Sequence, residues 1–182
     1  MGIRFTIASL VAACALAAGP AMATDLTLEY KEPPATPPYP YAGFDWEGFY
    51  AGVGFGSTGL TSGGPADQEY QFQGIAGFNF LASSVVLGAE VYAEYVTDFT
   101  DSTTAVGAEA RAGYLVTDDM LVYAALGLHR YQPGGVYATG SIGAEFVVGD
   151  SSTIDVKYSY LDHTNGPFWG HKLSASWNWH FE

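Results

Sequence analysis

Between Trp46 and Phe181 the sequence divides into eight segments in which apolar and polar residues alternate with a period of two. The last segment, Phe168 to Phe181, shows the pattern at its clearest. Trp169, His171, Leu173, Ala175, Trp177, Trp179 and Phe181 share one parity, and Gly170, Lys172, Ser174, Ser176, Asn178 and His180 share the other. Successive side chains of a strand point to opposite faces, so this segment has one greasy face and one wet face. A soluble sandwich would cover the greasy face with a second sheet. Here that face is aromatic near both ends and small or aliphatic between them, the profile of a strand crossing a bilayer between two aromatic girdles.

The other segments run from Trp46 to Ser57, Glu69 to Leu81, Val85 to Thr97, Thr104 to Val116, Leu121 to Arg130, Tyr137 to Val148 and Thr153 to Leu161. Three connections are tight and polar: Ala82-Ser83-Ser84, Thr117-Asp118-Asp119 and Gly149-Asp150-Ser151. Those between, Thr58 to Gln68, Asp98 to Thr103, Tyr131 to Val136 and Asp162 to Pro167, are mostly longer and carry Gly, Pro or Asp. Outer-membrane barrels have short periplasmic turns and longer external loops. An unpaired backbone group in hydrocarbon costs several kcal/mol, so a sheet there must close on itself. The expected fold is therefore all-β, an eight-stranded antiparallel up-and-down transmembrane β-barrel with short periplasmic turns and no helix. An even strand number puts both chain ends on the periplasmic side.

Eight strands leave an interior just wide enough for side chains to fill. Gly48, Gly52, Gly54 and Gly56 lie on the inner parity of the first segment, leaving room for Tyr50, Tyr92 and Tyr123. The inner parity also collects Glu90, Glu94, Glu109, Arg111, Glu145, Asp155, Lys157 and Lys172. Charges in a packed interior must be paired or neutralised. Glu109 with Arg111, and Asp155 with Lys157, sit two apart on one face, and Lys172 belongs to the strand beside Lys157. Five carboxylates against three cations leave two that need water, a bound cation or a proton. An internal polar core explains this set more simply than an ion path or proton relay.

The chain opens with Met1-Gly2-Ile3-Arg4, an apolar run from Phe5 to Ala18, and Ala21-Met22-Ala23. That order reads as a secretory signal peptide with Ala21 and Ala23 at the positions a signal peptidase recognises and cleavage after Ala23. Val11-Ala12-Ala13-Cys14 matches the short lipoprotein pattern, but the apolar run continues past Cys14, which argues against lipidation. Residues 24–45 follow as a periplasmic linker rich in proline, with Pro33, Pro34, Pro37, Pro38 and Pro40, and residues 46–182 form the barrel. After cleavage five Lys or Arg remain against nineteen carboxylates, which excludes nucleic acid as a partner.

The stretch Phe44-Asp45-Trp46-Glu47-Gly48-Phe49-Tyr50-Ala51-Gly52 through Gly56 resembles the first strand of small alphaproteobacterial outer-membrane surface antigens. These belong to the porin-like, OmpA/OmpX-type β-barrel superfamily, with its W-x-G-F-Y-x-G opening. His171 through Trp177, Trp179 and Phe181 is similar to the family's closing strand, and Gly113 to Val116 with Val122 to Ala124 to its central hairpin. The resemblance implies a surface-exposed role in envelope integrity, outer-membrane lipids and lipopolysaccharide as surroundings, and recognition of the closing strand by the barrel-assembly machinery. Glu182 follows Phe181 where the family ends on Phe, and Ser176 stands where it has Gly. No His-Met or Cys-Pro pair identifies a haem ligand, so no cofactor is expected.

The expected function is that of a non-enzymatic, monomeric barrel in the outer membrane of a Gram-negative cell, its loops extracellular. The alternatives are a small-solute channel, a soluble periplasmic barrel with a greasy lumen, and a lipid A hydrolase. The hydrolase would need a Ser, His and acid at the membrane edge, and Asp162-His163-Thr164-Asn165 is the nearest constellation. His129, His163, His171 and His180 lack metal-ligand spacing.

Overall fold

The computed structural model describes residues 43–181. Ala21 and Ala23 of the expected signal peptide, Cys14, residues 24–42 of the expected linker and Glu182 lie outside them. Eight strands follow one another: β1 (Gly48–Thr61), β2 (Asp67–Ala82), β3 (Val85–Thr97), β4 (Ser102–Thr117), β5 (Met120–Gln132), β6 (Val136–Gly149), β7 (Ser152–His163) and β8 (Trp169–Phe181). Each pairs antiparallel with the next, and β8 pairs with β1, closing the barrel. No helix occurs among the described residues.

Register fixes the barrel's geometry. A row of paired residues starting at Phe49 runs through Phe78, Ala89, Ala110, Leu126, Gly140, Tyr160 and His171, and returns to β1 at Gly59. The row climbs ten residues along β1 in one circuit, from 49 to 59. A stagger of this kind tilts strands by roughly 35–45° from the axis.

The outer parity is as the alternation predicts. Phe49, Val53, Phe72, Val91, Leu126, Ile142, Leu173 and Phe181 are among its exposed apolar residues. The connections differ from expectation. Strands continue into all four segments assigned to long loops, leaving only residues 62–66, 98–101, 133–135 and 164–168. Leu60 still pairs with Asp67 on one side and Gly170 on the other. Backbone pairing does not depend on side-chain polarity, so the sheet persists where Ser57, Gly59 and Thr61 end the greasy outer stripe. In the β3–β4 loop the backbone N–H groups of Asp101 and Thr100 donate to Asp98 and hold its carboxyl below the usual carboxylate range.

Trp46 is not part of the first strand. Gly48 has φ of +112°, a left-handed backbone that favours glycine, and the chain before it turns into the barrel mouth. Trp46 is 1 % exposed there, and its indole N–H donates to the Asp118 carbonyl at 2.9 Å. Phe44, counted above with the linker, meets Trp46 edge-on at 5.0 Å and His180 at 4.8 Å. With Val86, Leu121 and Ala125 these rings form an apolar layer across the turn-side end. Val96, Ala105, Tyr131, Tyr137 and Leu161 form a second layer towards the loops.

The glycines that accommodate the lumen tyrosines are not those of β1. Tyr50 lies over Gly77, Tyr92 over Gly107 and Tyr123 over Gly143, each tyrosine directly opposite its glycine on the next strand. A Cβ at Gly107 would lie 2.2 Å from the Tyr92 ring. Gly52, Gly54 and Gly56 instead leave space for Asn178, Gln73 and Gln71.

Candidate functional site: the charged interior

The eight charges expected inside are all buried in the lumen, each at most 5 % exposed. Charged neighbours on one strand do not bond each other. Lys157 donates to Glu90 at 2.8 Å and to Glu109 at 2.9 Å, rather than to Asp155. Arg111 donates to Glu145 at 3.0 Å and to Asn79 at 3.0 Å, rather than to Glu109. Lys172 donates to Glu94. Residues two apart on a strand stand side by side about 7 Å apart, whereas the tilted barrel wall aims long cations across the lumen.

Neutral donors complete the network. Tyr50 donates to Glu90 at 2.8 Å, and Thr139 and Ser141 donate to Glu109 at 3.0 and 3.2 Å. Thr153 and Asn178 donate to Glu145 at 2.5 and 3.1 Å, with His180 at 3.4 Å. Asp155 receives only the Tyr123 hydroxyl, 2.9 Å from each of its oxygens. It has no cation within bonding distance among the described residues. Tyrosine rings cover the cations: Arg111 lies 4.7 Å from the Tyr50 centroid and 5.2 Å from that of Tyr123, and Lys172 lies 4.8 Å from Tyr92. His129 stacks on Tyr92 and meets Tyr131 edge-on at 4.7 Å.

Sequence reasoning missed the roles of Asn79, Thr139, Ser141, Thr153, His129 and His180. Their inward parity was visible, but not their partners. The network is a packed set of charge-assisted hydrogen bonds. Among the described residues no three metal-ligating side chains cluster.

The loop constellation Asp162 to Asn165 is committed to local structure. The Thr164 hydroxyl donates to the Val136 carbonyl at 2.9 Å, and His163 Nδ1 accepts the Asn165 backbone N–H at 3.1 Å. Among the described residues no hydroxyl hydrogen-bonds the His163 ring. On the closing strand Trp177, Trp179 and Phe181 all face outward, and the two indoles stack 6.0 Å apart.

No family model matches the chain, and no curated protein matches its sequence. Solved structures do. Neisserial surface protein A superposes with a TM-score of 0.55 at 15% identity, covering 73% of this chain and 97% of that one. Ail, the attachment invasion locus protein of Yersinia pestis, gives 0.58 at 13%, covering 74% and 99%. A de novo designed transmembrane β-barrel gives 0.51 at 15%, covering 76% and 99%. At these identities the common property is the fold, an eight-stranded closed antiparallel barrel that natural surface proteins and a designed chain share.

Proposed function

We propose that this chain is a non-enzymatic integral outer-membrane barrel that contributes to envelope integrity and presents a short, rigid rim to the exterior. One observation carries the reading: the wall is inside-out relative to a soluble protein. The outer face holds the large apolar residues, and the inner face holds every Glu and Lys of the network. Twelve steps separate Trp169 from Phe181, roughly 40 Å along the strand and about 30 Å in height after tilt, which matches a hydrocarbon core. On this reading short turns and both ends of the mature chain lie in the periplasm. Trp177, Trp179 and Phe181 belong to the strand read by the assembly machinery, and outer-membrane lipids and lipopolysaccharide surround a monomer.

The interior supports a scaffold rather than a pore. Apolar layers close both ends, and tyrosines and ion pairs occupy the middle. The test is expression in a Gram-negative host. The protein should partition with the outer membrane, require detergent for extraction, and migrate faster on gels before heating than after. Recovery in the soluble periplasmic fraction would overturn membrane placement, and steady conductance in planar bilayers would overturn the closed lumen. The wall itself is tested by Ala110→Arg, whose site faces outward near the middle of β4. It should cost ~2–4 kcal/mol of folding free energy in vesicles.

A further inference from the structure

The barrel's outer wall has a groove whose loop-side end lies beside a cation, Arg130, the strand partner of the groove residue Val106. The row of pairs Ile154, Trp177, Val53, Gly74, Ala93, Val106 and Arg130 climbs from the turn-side rim on β7 to the loop-side rim on β5. Midway, the wall thins. A Cβ at Gly74 would meet nothing within 4 Å, and Ala93 beside it is small. Val53 and Val106 bound this notch along the row, and Phe72 and Tyr95, exposed by 59 % and 51 %, stand above it. The groove has a volume of about 870 Å³ and reaches Thr104 and Gln132, the outward neighbours of Arg130.

Arg130 is distinctive. Arg111, Lys157 and Lys172 are buried in the lumen, so Arg130 is the one Lys or Arg facing outward among the described residues. It forms no ion pair among them. An unpaired guanidinium at the edge of hydrocarbon, with two uncharged polar neighbours, is suited to hold a phosphate by charge-assisted hydrogen bonds.

The geometry points to a lipid site: the groove over Gly74 and Ala93 takes an acyl chain, and Arg130 takes the phosphate of that same lipid. The occupant is the phosphorylated, multiply acylated glycolipid of the outer leaflet, lipid A. This inference rests on the outer-membrane placement proposed above, which sets the loop-side rim in that leaflet. Charge selects the headgroup, since the wall offers a cation where the lipid offers an anion. Shape selects the chain, since a notch between bulky side chains accommodates a chain better than the smooth wall around it.

The experiment uses the full mature chain, purified in detergent and exchanged into lipid-free micelles, with retained lipid measured by native mass spectrometry. The probes are diphosphoryl lipid A, its fully dephosphorylated form and phosphatidylglycerol. Wild type should retain diphosphoryl lipid A in preference to the other two. Arg130→Gln should weaken retention of the diphosphoryl form by up to roughly fivefold and leave the dephosphorylated form unchanged. Gly74→Phe, and the milder Ala93→Leu, should weaken both forms by roughly fourfold for each methylene displaced from the groove. Faster gel migration before heating verifies that each variant is folded. Equal retention by wild type and a folded variant overturns the site, as does failure of wild type to retain lipid A. Preferential retention of phosphatidylglycerol overturns the assignment to lipid A. A wild-type chain that needs no detergent would instead overturn the membrane placement, so the two failures are distinct.

Discussion

The lumen contains the same inventory twice, arranged in two ways. Glu90 stands directly opposite Glu109 across β3 and β4, and Glu145 directly opposite Asp155 across β6 and β7. Like charges in that position repel. Each pair is bonded by one cation. Lys157 reaches between Glu90 and Glu109 and bonds both. Of its pair Arg111 bonds only Glu145, while its Nε–H donates to Asn79 and its guanidinium lies against the Tyr50 and Tyr123 rings. Asp155 is left with a tyrosine hydroxyl. The difference follows from the cations' shapes. An ammonium is a compact charge with three donors that can sit between two carboxylates, whereas a planar guanidinium stacked between rings is directed along its edge.

Lys157→Met breaks the first pair and should give the largest effect. It leaves two buried carboxylates facing each other without a cation, and removing one partner of a buried pair typically costs ~3–5 kcal/mol. Urea unfolding in vesicles should show a loss in that range. Unchanged stability would mean that Lys157 does not bridge the two. Arg111→Met should cost less, about 3 kcal/mol, because it leaves one carboxylate without its cation rather than two. The temperature at which the compact gel form disappears should fall in the same order. A larger fall for Arg111→Met would reverse the comparison.

Parity was legible in the sequence, and partnership was not. The closing strand's alternation placed Lys172 and His180 inside and Trp177 and Phe181 outside, and counting segments gave the barrel. Register is a property of pairs of strands, so one strand's sequence could not show that Lys157 faces Glu90 from across the lumen, 67 residues away. The apolar layer across the turn-side end was hidden for a local reason. Trp46 read as the start of the first strand, but the strand begins at Gly48, and beyond its left-handed backbone the indole reaches the Asp118 carbonyl at the barrel's turn-side end. Gly77, Gly107 and Gly143 looked like unremarkable strand glycines until register set a tyrosine over each.

Those tyrosines offer a finer probe of the second pair. Tyr123 links Arg111, under its ring, to Asp155, at its hydroxyl. A Cβ at Gly143 would come within 2.4 Å of that ring, so Gly143→Ala must displace it. Overfilling a packed interior costs ~1–3 kcal/mol. The loss should largely vanish in a Tyr123→Phe background if it arises from the displaced hydroxyl, and persist if it is purely steric. Thermal melts of the four proteins in one detergent decide between these.

The smallest expected effect is the most discriminating. Asp155→Asn keeps an oxygen that can accept from Tyr123 and removes the charge opposed to Glu145, a cross-strand repulsion of ~0.2–1 kcal/mol. Stability should rise by that amount or stay level. Glu109→Gln should lower it, because Glu109 is bonded by Lys157 and loses a charge-assisted contact. Opposite signs for two carboxylate-to-amide changes in one lumen would follow directly from where the cations sit. A loss at Asp155 as large as at Glu109 would show that a cation reaches it, and the two clasps would then be equivalent.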